Sequence, residues 1–547
     1  MKRYLFIALA TFALIGCTED MTDSTPLDGE LEQSYIAVTL ASDEVSSRAN
    51  GDAAFEYGDE AERYVESAHF FLFKADGSAF PVNGVSGKNY LSFTLNSNGT
   101  QPGETGRPDA GPNVSDVKDK ILVFNNYKGE YPSYIVAVLN WDEHHIQPSY
   151  TLDNLYNTIT NIRNANDHFV MSNAVYADTQ GEIVRASRLS VDNIGKTEAE
   201  AMAHPVQIYV ERLSAKVEVR AKGNVAGQDA TYDIAASVGG TPVYAKVLTW
   251  ELHNEYHQSI LLKHIYPHKW GLGSEVGFLW NDPVQSRSYW ATSHAGTFPS
   301  DNHFDWSTGG LAPDAGVAYV GENTQQPVLD GEGKVVADPR TKVIIKAQLV
   351  DASGTPLELA LWYGMGYVGE TVLRQEVAKL LASQLYYREG GAYRSIDPAD
   401  LKLVAGTHAP AGAGVQAYEA FFQIADASRS RSWYTYSSAD GYTQATIQEV
   451  NSRLAQVAPA LVYKNGMTYY FTDIRHLGRT DSASAFGIVR NHIYRVNISA
   501  ITGFGTPVYD ADVDVEVPQR PTQVNSYVAA EMRILSWKVV KNGYNIE

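Results

Sequence analysis

Four histidines crowd one stretch of the chain: His253, His257, His264 and His268. A zinc centre would need three or four of them to converge at about 2 Å from the ion. A spacing of four aligns His253 and His257 only on a helix, whereas Thr249 to Leu262 reads as two strands around a turn at Asn254-Glu255. Solvated or packed imidazoles are therefore the expectation. Asp510, Asp512, Asp514 and Glu516 offer oxygen ligands, but they alternate with Ala511, Val513, Val515 and Val517. A calcium loop would also want a glycine at its sharp turn. Alternation with valine predicts a strand with one wet face. Gly271, Gly273 and Gly277 miss the dinucleotide fingerprint by one residue, and no buried strand leads into them. No nucleophile elbow or phosphate loop is found. Carboxylate pairs for glycoside hydrolysis are not placed by spacing alone. No cofactor, metal or catalytic set is called for, and an enzyme is the weakest expectation.

Cys17 is the single cysteine of the 547 residues. Lys2 and Arg3 precede an apolar run from Tyr4 to Ile15, which ends in Leu14-Ile15-Gly16-Cys17. A positive end, a short apolar centre and a small residue before the cut make an export signal. The run falls short of the about 20 residues that span a bilayer. Leu14 to Cys17 resembles the lipobox of bacterial lipoproteins, in which signal peptidase II cuts before a lipid-bearing cysteine. The alternative is an ordinary secretory signal with an incidental cysteine. Thr18-Glu19-Asp20 resembles the acidic tag of surface-exposed lipoproteins in Bacteroidia. Lipidation of Cys17 leaves no thiol for a disulfide, so the fold must rest on core packing.

The composition permits that, with 44% apolar and 19% charged residues. A chain of this length is expected to divide into two or more domains. A net charge of −20 argues against nucleic acid as a partner.

Residues 18 to 33 are polar and acidic and read as a tether. Ser34 to Leu40 then alternates, with Ile36, Val38 and Leu40 on one face, and predicts a strand. Ala41 to Asp52 is polar with small residues, and Arg48 sits in it before Ala49, as an accessible trypsin-like nicking site does. Beyond it the chain reads mostly as strands and tight turns. His69 to Lys74 and Phe80 to Val82 flank Asp76-Gly77, and Ile344 to Asp351 and Leu357 to Trp362 flank Ser353-Gly354. Leu461 to Lys464 and Met467 to Phe471 flank Asn465-Gly466, a strong hairpin signal because both turn positions favour positive φ. Tyr134 to Leu139 is apolar throughout and predicts a strand buried on both faces. Leu152, Leu155, Ile159 and Ile162 recur at helical spacing after Thr151, a suitable N-cap. Val372 to Leu385, Thr446 to Val457 and Lys196 to Ala203 are further helical candidates. Strands outnumber helices, and β-sandwiches are expected. Gly223 to Gln228 interrupts two strand-rich regions and suggests a domain boundary.

Several segments resemble the FimA/Mfa-like fimbrillins of Bacteroidia, the subunits of type V pili. Val210-Glu211-Arg212-Leu213-Ser214-Ala215-Lys216-Val217-Glu218-Val219 is similar to the family's V-x-R-x-x-A-K/R-V strand. Trp250 to Asn254 with Ser259 to Lys263 resembles another shared block. Gly487 to Tyr494 resembles the V-R-N-x-x-Y element, and Ile534 to Val539 the terminal W-K-V strand of Mfa-type shaft subunits. The blocks run in family order along the chain. Residues 280 to 340 and 385 to 440 align with none of them.

The resemblance implies a mainly β fold of two transthyretin-like β-sandwich domains with a few short helices. Its division would be a lipoprotein signal peptide at 1–17, a propeptide with the first strand at 18–48, an N-terminal sandwich at 49–222 and a C-terminal sandwich at 223–547. The last of these would end in a donor-strand tail at about 527–547. The implied function is that of a fimbrial subunit that reaches the outer membrane as a lipoprotein, is cut after Arg48 by an arginine-specific protease, and polymerises in support of adhesion as a neighbour's C-terminal strand fills the groove its first strand leaves. Its partners would be identical or related fimbrial subunits and an unidentified host or bacterial receptor. The residues support the mechanism separately. Release of Ile36, Val38 and Leu40 would leave an open sheet edge, which is a template for strand addition. Val528, Ala530, Met532 and Ile534 form a matching apolar alternation, after which Leu535, Trp537 and Val539 shift to the other face, as a bulge would require. Seating Val528, Met532 and Ile534 would be worth roughly 5–9 kcal/mol. The competing reading makes both ends ordinary core strands. A tip or accessory subunit, an anchor, and a surface glycan-binding lipoprotein remain as alternatives.

Overall fold

The computed structural model describes residues 31–41, 55–57, 59–82, 87–94, 120–127, 129–177, 183–265, 291–293, 303–304, 306, 309–333, 335–476, 487–511, 515–516 and 527–538. The fold is mainly β, as the turn spacing predicts.

In the N-terminal part, a nine-stranded sheet runs in the order Ile194–Gly195, Leu31–Ala41, Val206–Arg212, Met171–Asn173, Tyr134–Leu139, Ser67–Phe73 and Tyr90–Thr94. Lys120–Tyr127 joins it on Leu31–Ala41, and Ser187–Arg188 on Tyr134–Leu139. Tyr134–Leu139 is the strand buried on both faces. Ile135, Ala137 and Leu139 enter one core with Phe70 and Leu72, while Val136 and Val138 enter another with Phe71, Phe73 and Trp141. An apolar run without alternation is what two covered faces require. The Asp76-Gly77 turn forms as expected, with Gly77 at φ 80° and the Phe80 amide donating to the Leu72 carbonyl at 3.0 Å.

Two five-stranded sheets build the C-terminal sandwich. One holds Val317–Gly321, Ser214–Arg220, His492–Thr502, Tyr527–Lys538 and Phe55–Tyr57; the other holds Thr231–Val238, Thr241–His253, Lys342–Val350, Met467–Asp473 and Thr506–Pro507. Val217, Val219, Val496 and Ile498 from the first pack with Val243, Ala245, Ile345 and Leu349 from the second in a shared core. The chain passes from the N-terminal sheet to this sandwich at Leu213. Arg212 is registered with Met171, and Ser214 already pairs with Gly321. The passage lies upstream of the Gly223 break that composition suggests.

A third core fills the stretch between Lys342–Val350 and Met467–Asp473. Trp362, Leu373, Leu385, Phe422, Trp433 and Val450 are among its buried members. It contains residues 385 to 440, which the family blocks leave unaligned. Its helices are Glu370–Leu381 and Ile447–Leu454. Thr446 caps the latter in a capping box, its Oγ1 accepting from the Glu449 amide at 3.2 Å.

Three local expectations are corrected. Thr151 does cap a helix, accepting from the Asn154 amide at 3.1 Å, but the helix is only Leu152–Tyr156. Ile159–Asn161 is a strand instead, paired with Gln258–Ile260, so tertiary pairing overrides the helical spacing of Ile159 and Ile162. Asn465 and Gly466 take the positive φ values expected of them, 49° and 72°, yet they close no hairpin. Leu461–Tyr463 pairs with Leu359–Trp362, while Met467–Asp473 pairs with Lys342–Val350. A Cβ at Gly466 would collide with the Leu349 carbonyl oxygen, so close passage as well as φ requires glycine there. Asn254 turns the chain at φ 57°, but Gln258–Ile260 pairs across the joint with Ile159–Asn161 rather than back on Thr241–His253.

Candidate functional site

The first strand, Leu31–Ala41, has partners along both edges. On one side Leu31 to Val38 runs antiparallel to Tyr127 to Lys120. On the other, Tyr35 and Ile36 pair with Gly195 and Ile194, and Val38 to Ala41 runs parallel to Val206 to Tyr209. Ile36 and Val38 are 0% and 1% exposed and pack in one core with Leu122, Phe124, Val206 and Ile208. Burying each of these two side chains is worth about 1.5–3 kcal/mol. Leu40 lies in the same strand, within the parallel ladder opposite Ile208. Near the strand's start, the Glu32 carboxylate accepts from the Tyr131 hydroxyl at 3.0 Å. That hydrogen bond holds its pKa below the ordinary carboxylate value, against some desolvation. Cys17, Arg48 and Ala49 lie outside the described residues.

The C-terminal strand, Tyr527–Lys538, runs antiparallel to His492–Thr502 within its own sandwich. Val528 is registered opposite Ile501, Ala530 opposite Ile498, Met532 opposite Val496 and Ile534 opposite Tyr494. All four partners are buried members of the sandwich core. Leu535 stands opposite Ile493, which packs in the N-terminal core instead. The irregularity in the ladder falls on the partner strand, between Ile498 and Ala500, rather than at the Ile534-Leu535 shift where the sequence suggests a bulge. Among the described residues, the other edge carries only Phe55, Glu56 and Tyr57, parallel to Ser536, Trp537 and Lys538. Val539 lies outside the described residues.

Between the N-terminal sheet and the sandwich sits a polar cluster built from the sequence blocks singled out above. Glu211 of the first block meets Lys263 of the second at 2.7 Å, with both side chains at 1% exposure or less. Arg490 of the third block pairs with Glu322 at 2.6 Å and donates to the Leu261 carbonyl at 3.1 Å and the Ser259 hydroxyl at 3.0 Å. It also donates to the Ile260 carbonyl. Burial dominates the protonation of the first pair, pushing the Glu211 carboxyl up and the Lys263 amine down. A second network lies alongside. Arg212 Nε donates to the Glu62 carbonyl oxygen at 2.7 Å, Lys216 meets the Glu62 carboxylate at 2.9 Å, and Arg495 meets Glu218 at 2.7 Å. Burial raises the pKa of Glu62, but the Tyr319 hydroxyl and Lys216 outweigh it and leave that carboxyl below its usual range. Sequence reading took these blocks as strands and missed their charge network. The available signal was ionic residues embedded in apolar runs, as in Val210-Glu211-Arg212-Leu213 and Leu261-Leu262-Lys263. Such groups are rarely buried without a partner.

The other candidate chemistry disperses. His253 is buried at the end of Thr241–His253, His257 is largely exposed beside Glu255, and His264 stacks on Tyr156 at 4.0 Å with Nε2 3.0 Å from the Tyr156 carbonyl oxygen. His268 and the glycines 271, 273 and 277 lie outside the described residues. Among the described residues no group of three or more His, Cys, Asp or Glu is placed to hold a metal ion. Of the acidic run, Val515–Glu516 is a strand paired with His303–Phe304, and Asp512 and Asp514 lie outside the described residues.

No curated protein matches the chain significantly. Among solved structures, similar ones include a fimbrilin (FimA) from Porphyromonas gingivalis W83, at 13% identity, covering 93% of this chain and 98% of that one, with a TM-score of 0.36. A putative cell adhesion protein from Parabacteroides distasonis ATCC 8503 matches at 12% identity, over 93% and 98% of the two chains, with a TM-score of 0.34. The tip fimbrial protein Mfa3 from Porphyromonas gingivalis, with C-terminal truncation, matches at 10% identity over 92% and 100%, with a TM-score of 0.30. The family model described as major fimbrial subunit protein type IV, fimbrillin, C-terminal, matches residues 461–543. That span contains the Gly487 to Tyr494 block and the Ile534 to Val539 segment, two of those that carry the resemblance in the sequence. Over residues 461–543 the chain is therefore similar to the C-terminal region of the fimbrillins.

Proposed function

We propose that the chain is a structural subunit of a surface fimbrium rather than an enzyme. It leaves the cell as a lipoprotein through Cys17, is cut after Arg48, and joins its neighbours by strand exchange in support of adhesion. The supporting observation is the seat of Leu31–Ala41. It is an interior strand with buried Ile36 and Val38, and Arg48 lies between it and Phe55, where the described chain resumes. A cut after Arg48 severs its covalent link to the rest of the sheet. The strand's departure would expose the ladder groups of Lys120–Tyr127 and Val206–Arg212 together with an apolar slot. The C-terminal strand of another subunit has the right length to fill it: 12 residues against the 11 of Leu31–Ala41.

A second reading is favoured by the tail's own register. Tyr527–Lys538 is laid along His492–Thr502 opposite buried core residues, as suits a tip or accessory subunit that accepts a strand and keeps its own. The N-terminus of the protein isolated from cells tests the first step. Ala49 as the first residue supports maturation after Arg48. Arg48→Ala should accumulate as a folded, monomeric precursor, and normal filaments from that variant would overturn the proposal.

A further inference from the structure

The third core carries on its outside a small sheet of four strands, in the order Ala392–Ser395, Leu385–Glu389, Trp433–Ser437 and Gly441–Ala445. Leu385, Tyr387 and Trp433 point into the core. Strand alternation and register then send Tyr386, Tyr393, Tyr434, Tyr436 and Tyr442 to the opposite face. Their rings form one continuous patch. Tyr393 and Tyr442, from the two outermost strands, reach over the sheet and stack at 3.8 Å with 3° between planes. Tyr386 meets Tyr442 edge-on at 4.9 Å, Tyr434 meets Tyr393 at 5.0 Å, and Tyr436 meets Tyr442 at 5.0 Å. Packing against one another does not hide them: Tyr393, Tyr436 and Tyr442 remain 38%, 40% and 41% exposed.

The chemistry of this face is narrow. By the same register its other outward residues are Arg388, Ser395 and Gln444. Every outward side chain thus joins a hydrogen-bonding group to its carbon surface, and no aliphatic residue is among them. The single charge is Arg388, whose guanidinium lies 5.8 Å from the Tyr393 ring centroid. Arg394 is on the other face, engaged with Glu389 at 2.9 Å. Tyr and Arg also centre protein interfaces, but there they sit in well-packed, desolvated pockets, whereas this face lies open on the sheet. Flat rings edged with hydroxyls instead suit a partner that is itself flat, C–H-faced and rich in hydroxyls. Arg388 adds a local site for a carboxylate, exposed at the edge of the tyrosine patch.

We propose that the tyrosine face of this sheet binds an acidic saccharide, with sugar rings lying on Tyr393, Tyr436 and Tyr442 and a uronic-type carboxylate on Arg388. The proposal does not depend on strand exchange. Calorimetric titration of the full-length chain with an oligogalacturonate, and with a neutral galacto-oligosaccharide of equal length, tests it. The acidic sugar should bind saturably and more tightly than the neutral one. Tyr442→Ala should weaken both roughly tenfold or more, about 1.4 kcal/mol. Arg388→Gln should bring the acidic sugar down to the neutral one, and Tyr363→Ala, away from this face, should change neither. Tyr436→Ala replaces Tyr442→Ala if the latter fails to melt like the parent. Absence of saturable binding, equal binding of the two sugars, or indifference to the tyrosine variants overturns the proposal. So does self-association that Tyr442→Ala abolishes while no sugar binds, since the face would then serve a protein contact.

Discussion

The two terminal strands are seated differently. Leu31–Ala41 is held by ladders on both edges and places Ile36 and Val38 in a core with Leu122, Phe124, Val206 and Ile208. Tyr527–Lys538 is held by a long ladder on one edge and, among the described residues, by only Phe55–Tyr57 on the other. Leaving the first seat means opening two rows of backbone hydrogen bonds and an apolar slot together. The second strand can peel from one side. Under strand exchange this difference assigns each terminus its step: the first strand needs a cut to be released, and the last needs only displacement.

The largest effect should come from the first seat. Val38→Asp puts a carboxylate among Leu122, Phe124 and Ile208 and should cost several kcal/mol. Urea unfolding of the full-length chain should show a lower midpoint than any other variant here, and an unchanged midpoint would deny that the strand is seated at all. Next is the joint between the two parts. Glu322→Ala strands Arg490 in a buried site and should cost about 3–5 kcal/mol. Glu322→Gln, whose amide oxygen still accepts, should cost less by the same measurement.

Removing the tail should be milder. Deletion of Val528 to Glu547 leaves Val317–Gly321, Ser214–Arg220 and His492–Thr502 paired, and removes cross-strand pairs worth roughly 0.2–1 kcal/mol each. A cooperative melt by circular dichroism, with the midpoint lowered, supports a tail that can be given away. Loss of the transition would make it an obligatory core strand and erase the contrast between the termini.

Acid should have the smallest effect. Burial opposes ionisation of Asp338, but the Arg340 hydrogen bond and the Lys342 charge prevail and hold its pKa at about 2, against 3.8 ordinarily. A depressed folded-state pKa gives stability that is complete above pH 3.8 and is lost as pH falls toward 2. The loss is about 2 kcal/mol, partly offset by neighbouring Asp473, whose pKa burial raises. Unfolding midpoints measured between about pH 5 and 2 should fall, and Asp338→Asn should flatten that slope.

Legibility in the sequence followed how local each cause was. Ile36 and Val38 were readable because a one-sided apolar alternation fixes a strand and its buried face by itself. Tyr134 to Leu139 was readable for a similar reason. Asn465-Gly466 shows the limit. Turn chemistry set the sign of φ at both residues, but the partner of Met467–Asp473 was chosen by Lys342–Val350, far upstream in the chain. The joint was hidden because Glu211, Lys263, Glu322 and Arg490 meet only after distant segments have packed. The tyrosine face was within reach. Tyr386 with Arg388, and Tyr434 with Tyr436, already alternate along their strands, but only the register joins those pairs into one patch.

The direct passage through Leu213 also has a mechanical consequence. Val206–Arg212 ends in one sheet and Ser214–Arg220 begins in the next with a single residue between them. No slack chain is available there to lengthen under load. A pull transmitted from one sheet to the other runs along the covalent backbone from Arg212 to Ser214. It reaches the ladders to Met171–Asn173 on one side, and to Val317–Gly321 and His492–Thr502 on the other, along the strand axes. Such a load must shear many hydrogen bonds at once instead of opening them one after another, so under tension the joint behaves as a strut rather than a hinge.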